Sequence, residues 1–274
     1  MRLLPLALFA AIFSSAAHAG ELPRPDHVVV VIEENRGYSQ IMDKRNSDSY
    51  IHALAKRGVL FTQSFGVSHP SQPNYLALFS GSTQGVASNN CPYSFNTDNL
   101  ASSLLDAGLS FASFSESLPA PGNLGCSSGY YMRKHNPVAN WQQGGRLPAE
   151  LNKRFVDFPR DFSKLPTVSF VIPDQANDMH DGDFARADEW LKTNIEPYVE
   201  WAFKHNSLLI LTWDEDDYRE GNHIYTALVG PMVKGGVSAQ RIDHYSVLRT
   251  LLDFYGVPAI GASREAEPIT GVWK

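Results

Sequence analysis

Two apolar runs in this chain end abruptly in acidic residues. The run at 208–213, Leu-Leu-Ile-Leu-Thr-Trp, leads into Asp214-Glu215-Asp216-Asp217, and the run at 27–32, His-Val-Val-Val-Val-Ile, leads into Glu33-Glu34-Asn35. Burial and mutual repulsion both oppose carboxylates at the end of a buried strand, and a bound cation or a shared proton relieves both. Oxygen ligands suit hard cations, and open α/β sheets bind ligands at the carboxyl ends of their strands. We therefore expect one metal site at this edge.

The rest of the chain alternates between strand-like and helix-like segments. Strand patterns lie at 27 to 33, 58 to 65, 110 to 115, 167 to 172, 207 to 213 and 224 to 230, and helical patterns lie at 49 to 57, 73 to 80, 98 to 107, 184 to 204 and 244 to 255. This alternation predicts an α/β fold with a mainly parallel sheet and helices on both faces. Residues 116 to 162 are the least regular and are expected to form a long excursion over the carboxyl edge.

The N-terminus is typical of a secretory signal. Residues 1–19 contain one arginine, a short apolar core and an Ala-His-Ala ending. The apolar core is shorter than the roughly 20 residues that span a bilayer, so export is favoured over a membrane anchor. We expect residues 20–274 to form a single domain of an exported protein, periplasmic or secreted.

The chain contains two cysteines, Cys91 and Cys126. In an exported protein, such a pair is expected to form a disulfide. Metal binding by the two thiols is the less favoured alternative, because structural zinc sites use four nitrogen or sulfur ligands.

Charge limits the partners of the chain. The formal net charge of −6 at pH 7 argues against nonspecific binding to nucleic acid and against stable association with anionic membranes. An anionic substrate must therefore be attracted by a local positive charge. The sequence leaves the oligomeric state open.

Ser71 lies between the second strand pattern and a helical pattern, within Ser-His-Pro-Ser-Gln-Pro-Asn-Tyr at 68–75. At the start of a helix, the backbone N–H groups and the positive end of the dipole favour an oxyanion or a phosphate. For an isolated serine, a simple N-cap is the better interpretation. Here the carboxylates on neighbouring strand ends favour a functional role.

A third polar cluster follows the strand pattern at 167 to 172 and contains Asp174, Asn177, Asp178, His180 and Asp181. Asp174 and His180 can point into one pocket from a loop, whereas Asp178 and Asp181 can simply be solvated or cap the backbone. His223 follows the four acids closely, and it would lie near them if its strand is antiparallel to the preceding one.

Taken in order, these segments resemble the bacterial phosphoesterase family that contains acid phosphatases and phospholipases C, a branch of the alkaline phosphatase superfamily. The resemblance runs from about residue 27 to residue 256. It depends on Glu34-Asn35-Arg36, Ser71-Gln-Pro-Asn74 with Phe79-Ser-Gly81, Pro173-Asp174 with Asn177 and His180, Thr212-Trp-Asp214-Glu215, and Asn222-His223 leading to Val229-Gly-Pro231. An alkaline-phosphatase-like fold is implied.

The resemblance also implies roles for individual residues. Ser71 corresponds to a metal-bound nucleophile, and the implied metal ligands are Glu34, Asn35, Ser71, Asp214 and Glu215. Asp174, His180 and His223 correspond to residues that bind a second metal or hold the phosphoryl oxygens, and Asn74 and Asn177 are also expected to bind the substrate. The pair Asp214-Glu215 stands where two-zinc relatives carry Asp-His. This departure favours one hard divalent metal, Ca²⁺, Mg²⁺, Mn²⁺ or iron, over zinc.

We therefore expect an exported, metal-dependent phosphoric ester hydrolase similar to the acid phosphatases. Ser71 would attack phosphorus, a phosphoserine would form, and His180 or His223 would protonate the departing alcohol. A small phosphomonoester is the expected substrate, because the single excursion at 116 to 162 leaves little room for a lipid-binding domain. Phospholipase C or phosphodiesterase activity is one alternative, and a secreted binding protein that has lost turnover is another.

Overall fold

A computed structural model describes residues 22–274, so the expected signal at residues 1–19 lies outside the described residues. The strands within this range are β1 His27–Glu33, β2 Val59–Phe65, β3 Phe111–Ser115, β4 Ser127–Ser128, β5 Tyr131–Met132, β6 Asn152–Arg154, β7 Val168–Ile172, β8 Ser207–Trp213, β9 His223–Val229, β10 Gly236–Ser238 and β11 Ile242–Asp243. The α-helices are α1 Tyr38–Ile41, α2 Tyr50–Arg57, α3 Ser71–Ser80, α4 Leu100–Asp106, α5 Val138–Gln143, α6 Phe184–Asn194, α7 Glu196–Ala202 and α8 His244–Asp253.

Nine of these strands form one central sheet in the order β10-β2-β9-β8-β1-β7-β3-β6, with β11 also paired to β2. Neighbouring strands are parallel, except that β9 runs antiparallel to both β2 and β8. The predicted α/β fold with a mainly parallel sheet is confirmed. The strand that begins at His223 is antiparallel to β8, the strand before it. This is the orientation under which the sequence analysis expects His223 near the four acids.

The pairing of β1 with β8 brings the two acidic strand ends together. Both strands are apolar along their length because both faces of the sheet are covered there. Their parallel register places Ile32 opposite Thr212 and Glu33 opposite Trp213, and the Asp214 N–H donates to the Glu33 carbonyl at 3.0 Å. Glu34 and Asp214 are therefore neighbours at the carboxyl edge of the sheet.

Helices cover both faces of the sheet, as predicted. Val28 and Val30 belong to a core that contains residues of α3, α4, α5 and α8, whereas Val29 and Val31 point to the opposite core, formed with α2, α6 and α7. Within residues 22–274, no helix combines the length and apolar character needed to cross a bilayer.

One predicted helix is divided in two. The pattern at 184 to 204 forms α6 and α7, which separate at Ile195. Pro197 lies in the first turn of α7. Its missing N–H is tolerated there, whereas in the middle of a continuous helix it would remove a hydrogen bond and clash with the preceding turn.

The segment at 116 to 162 is anchored to the body of the protein. Cys126 forms the predicted disulfide with Cys91, with their Cα atoms 5.8 Å apart. The buried guanidinium of Arg133 donates to the carbonyl oxygens of Leu124 at 2.7 Å and Tyr93 at 2.8 Å. These contacts fix the residues around Arg133, including its second neighbour His135.

Candidate active site

Ser71 is the first residue of α3, and its side chain is buried. Its Oγ lies 3.0 Å from Glu34 Oε2, 3.0 Å from Glu215 Oε1 and 3.4 Å from Asn35 Oδ1. The hydroxyl carries one hydrogen, so these acceptors must share it. The structure therefore brings Ser71 together with three of the predicted metal-ligating residues.

Asp214 joins the same group through the backbone. Its Oδ1 accepts from the N–H groups of Asn35 at 3.2 Å and Glu215 at 2.6 Å, and its Oδ2 is buried with no hydrogen-bond partner. Burial, together with the charges of Glu34 and Glu215, raises the pKa of Asp214 well above its usual value. Burial also raises the pKa of Glu215 to about 7, against opposing contacts with His69 and Ser71. Both raised pKa values show that the carboxylates of this cluster are incompletely compensated.

The donor set of this cluster fits a hard divalent cation. It offers carboxylate, amide and hydroxyl oxygens, and in the described range no lysine or arginine forms an ion pair with Glu34, Asp214 or Glu215. The Asn35 amide oxygen faces other hydrogen-bond acceptors, and a cation bound between these oxygens would stabilise the arrangement. Turning the amide instead brings its nitrogen within 3.1 Å of Glu215 Oε1 and 3.2 Å of Glu34 Oε2, which suits a metal-free cluster.

The second oxygen of Glu34 faces a different group. Oε1 accepts from the Tyr75 hydroxyl and lies 3.1 Å from His135 Nε2, while His135 Nδ1 lies 3.5 Å from Asp178 Oδ2. The rings of Tyr75 and His135 stack with centroids 5.2 Å apart. Burial acts to raise the pKa of Glu34, but the charge and hydrogen bond of His135, the charge of Lys134 and the hydrogen bond from Tyr75 together hold this pKa below its usual value.

Glu34, His135 and Asp178 can also present ligand atoms to a single ion, since one atom from each lies within 4.8 Å of the others. The set contains a histidine nitrogen, so it differs in chemistry from the all-oxygen group around Ser71. Glu34 belongs to both groups and therefore connects them.

His180 lies beside this second group. Its ring centroid is 6.0 Å from that of His135, its Nδ1 is 2.8 Å from Asp181 Oδ1, and its Nε2 is 3.1 Å from Lys134 Nζ. The contact with Asp181 occupies Nδ1, so Nε2 is the ring nitrogen that faces Lys134. Of the two predicted catalytic histidines, His180 is the one that the structure brings close to the site.

His223 has different neighbours. Its Nε2 lies 3.0 Å from the Thr62 carbonyl oxygen, and its ring stacks between Tyr38 and Phe65, with centroid distances of 4.5 and 5.1 Å. These contacts hold it at the start of β9. The structure does not bring His223 into the group around Ser71.

Asn74 supports the loop that leads to Ser71. It is fully buried, its Oδ1 accepts from the N–H groups of Val67 at 2.9 Å and Ser68 at 3.0 Å, and its Nδ2 donates to the Ser68 carbonyl at 2.8 Å. These three hydrogen bonds of the Asn74 side chain are all made to the backbone of this loop. Its contacts hold the backbone that leads to Ser71.

Asp174 and Asn177 belong to a neighbouring polar network. Asp174 Oδ2 accepts from the Ser117 hydroxyl at 2.6 Å. Asn177 donates to Glu116 Oε2 at 3.0 Å and accepts from the Arg186 guanidinium at 2.8 Å. These partners hold the loop after β7, which in turn carries Asp178 and His180.

Two of the acids that end the strands do not face Ser71. Glu33 points to the opposite face of the sheet, where burial, followed by the charges of Glu116 and Glu34, raises its pKa well above its usual value. Asp216 accepts from the N–H groups of Tyr218 at 2.7 Å and Glu220 at 2.6 Å and shapes the turn after β8. The alternation of side chains along a strand explains why Glu33 and Glu34 separate.

Three residues of the site were missed in the sequence: Tyr75, His69 and His135. Tyr75 follows Ser71 by four positions, so it shares a helix face with it, and this spacing could have indicated its role. His69 contacts Glu215, and its Nε2 lies 3.3 Å from Asp216 Oδ1. His135 lies in the irregular excursion, where no periodicity indicates which side chains point inwards.

Comparison with known proteins shows the family of this chain. The Phosphoesterase family model matches residues 43–258. The phosphatidylinositol-3-phosphatase of Mycobacterium tuberculosis is 45% identical over 258 residues, which are 93% of this chain and 85% of that protein. An acid phosphatase of Aspergillus fumigatus is 30% identical over 78% of this chain, but the chain spans only 52% of its length.

Solved structures show the same fold at low sequence identity. A protein in the alkaline phosphatase superfamily from Vibrio parahaemolyticus aligns with a TM-score of 0.63 at 13% identity, over 90% of this chain and 70% of its own. The phosphonate monoester hydrolase of Agrobacterium radiobacter aligns with a TM-score of 0.57 at 13% identity, over 89% and 78%. With its alkaline-phosphatase-like fold and the family match, the chain belongs to the phosphoesterase family and is a hydrolase of phosphoric esters.

Proposed function

We propose that this protein is an exported, metal-dependent phosphomonoesterase that acts through a phosphoserine at Ser71. The observation that carries the proposal is the position of Ser71 Oγ, 3.0 Å from carboxylate oxygens of both Glu34 and Glu215 at the first turn of α3. A serine buried among acidic oxygens gains little as a structural residue. Such surroundings do suit a nucleophile that must lose its proton.

The proposed metal ligands are Glu34, Asn35, Ser71, Asp214 and Glu215. The buried, unpartnered Oδ2 of Asp214 and the all-oxygen donor set support one hard divalent ion over zinc. When bound, such a metal lowers the pKa of the serine hydroxyl and neutralises charge on the phosphoryl group.

The reaction would proceed in two halves on the chain's own residues. Ser71 Oγ passes its proton to an adjacent carboxylate and forms a bond to phosphorus, while the bond from phosphorus to the alcohol oxygen breaks. His180 would supply the proton that the departing alcohol needs from Nε2, in the form that is protonated at both ring nitrogens, and Asp181 holds the opposite ring nitrogen. Water would then attack phosphorus and pass a proton to His180 Nε2, while the bond from phosphorus to Ser71 Oγ breaks, phosphate leaves and Ser71 Oγ takes its proton back from the carboxylate.

Two sources of the phosphomonoester are to be distinguished. A soluble ester is the simpler proposal, because the net charge of −6 opposes docking on anionic membranes. The similarity to a phosphatidylinositol-3-phosphatase supports a phosphorylated inositol headgroup instead. Both are monoesters, so the proposed chemistry at Ser71 is the same. Hydrolysis of phosphatidylcholine in preference to every monoester would favour the phospholipase C alternative.

Export is supported by the disulfide between Cys91 and Cys126, since disulfides persist in oxidising compartments. Together with the signal pattern at residues 1–19, this makes the periplasm or the medium the proposed location.

The proposal is tested by replacing the nucleophile. Ser71→Ala should abolish hydrolysis of p-nitrophenyl phosphate while leaving the melting temperature close to that of the wild type, because a single hydroxyl contributes little to folding. Ser103→Ala, a serine on α4 away from the site, is the matched control. Retention of activity in Ser71→Ala would remove the covalent mechanism, and lack of hydrolysis by the wild type in the presence of metals would leave a binding protein.

A further inference from the structure

Lys134 lies beside the acidic site and forms no salt bridge within residues 22–274. Its Nζ lies 3.1 Å from His180 Nε2, and none of the ion pairs found in residues 22–274 joins it to a carboxylate. Its side chain is half-buried. An ammonium group has three donors and no acceptor, and here one donor can point to His180 Nε2 when that nitrogen carries no proton. Two donors are left for another acceptor.

The backbone holds Lys134 in place. On one side Arg133 is buried and donates to the carbonyl oxygens of Leu124 and Tyr93. On the other side His135 is buried against Tyr75. A lysine between two fixed residues presents its charge with less loss of chain freedom than one on a mobile loop.

A chain of contacts connects Lys134 with the surroundings of Ser71. The His180 ring that faces Lys134 has its centroid 6.0 Å from that of His135, and His135 Nε2 lies 3.1 Å from Glu34 Oε1. Glu34 in turn accepts from Ser71. Lys134 therefore faces the same small region as the proposed nucleophile, from the side of His135 and His180.

We propose that Lys134 binds a terminal oxygen of the phosphoryl group and thereby selects dianionic monoesters over monoanionic diesters. The inference rests on the proposed function, because it assigns a contact within that same site. A monoester has three terminal oxygens and up to two negative charges, whereas a diester has two terminal oxygens and one charge. A fixed ammonium group therefore stabilises the bound monoester more than the bound diester.

The test compares Lys134→Met, Lys134→Arg and the control Lys192→Met, which alters an exposed lysine on α6. Losing a charged hydrogen bond should lower kcat/KM for p-nitrophenyl phosphate roughly 10- to 100-fold in Lys134→Met. The loss for bis(p-nitrophenyl) phosphate should be several-fold smaller, and the inhibition constant of inorganic phosphate should rise by about tenfold or more. Lys134→Arg should recover part of the kcat/KM for p-nitrophenyl phosphate and part of the affinity for inorganic phosphate, because arginine keeps the charge.

Equal losses on the monoester and the diester, with an unchanged inhibition constant for phosphate, would show a structural role and overturn the inference. Wild-type kinetics in Lys134→Met would overturn it as well. In either case the wild type still hydrolyses monoesters through Ser71, so the proposed function stands. Failure of the proposed function would instead be seen in the wild-type protein, as absence of monoester turnover or of phosphate on Ser71.

Discussion

Ser71 Oγ lies 3.0 Å from Glu34 Oε2, although the two residues are 37 positions apart in the chain. Glu34 directly follows β1, and Ser71 opens α3 on one face of the same sheet. The contact therefore depends on the sheet, which brings a strand end and a helix start to one edge.

Replacing Asp214 with Asn should lower bound metal and activity together. The change preserves shape but removes one charge from a small oxygen shell, and we expect a loss of roughly tenfold or more in metal affinity. Elemental analysis and kinetics on the same samples measure both. Asp106→Asn, at an exposed acid on α4, is the control. Full activity after exhaustive chelation would show that no metal is needed.

Tyr75→Phe should weaken catalysis without disrupting the core. The variant removes the hydroxyl that donates to Glu34 but retains the ring that stacks on His135. Loss of a hydrogen bond to a charged acceptor is worth about 1.5–3 kcal/mol, which corresponds to roughly a 10- to 100-fold change. Steady-state kinetics measure the effect of the variant on catalysis, and chemical denaturation measures its effect on stability. If kcat/KM is unchanged, Tyr75 does not orient Glu34.

The stability of the metal-free protein should depend on pH through Glu215. Burial raises its pKa from 4.5 to about 7. The folded state thus holds this proton more tightly than the unfolded state, so its contribution to stability is complete below about pH 4.5 and is lost as the pH rises through about 7.

The melting temperature of chelated protein should accordingly fall between about pH 5 and pH 8, and added metal should oppose the fall. Glu215→Gln should show a smaller decrease over the same range. A melting temperature that rises steadily across this interval in chelated wild type would contradict the assignment.

The sequence was most informative where the pattern is regular. Alternating apolar runs predicted the six main strands to within a residue or so, and the acids after β1 and β8 predicted the group around Ser71. The sequence did not predict His135, because its position depends on the path of an irregular segment held by Arg133 and a disulfide. His223 was placed correctly at a strand start, yet its ring faces Tyr38 and Phe65.

Reducing the disulfide between Cys91 and Cys126 should lower stability. The bridge closes a loop with a sequence separation of 35, for which the chain-entropy model gives roughly 3 to 4 kcal/mol, although engineered bridges often give less. The double variant Cys91→Ser/Cys126→Ser, compared with wild type under oxidising and reducing conditions, measures the effect by denaturation. Two free thiols by mass spectrometry in natively exported protein would refute the bridge.

The most direct measurement is trapping of the enzyme during turnover. Wild-type protein mixed with p-nitrophenyl phosphate and quenched in acid should gain one phosphate by intact mass, and peptide mapping should place it on Ser71. A rapid burst of p-nitrophenol should accompany it if release from the phosphoserine is slow. Ser71→Ala should show neither. Phosphate on another residue, or full turnover by Ser71→Ala, would contradict the central claim.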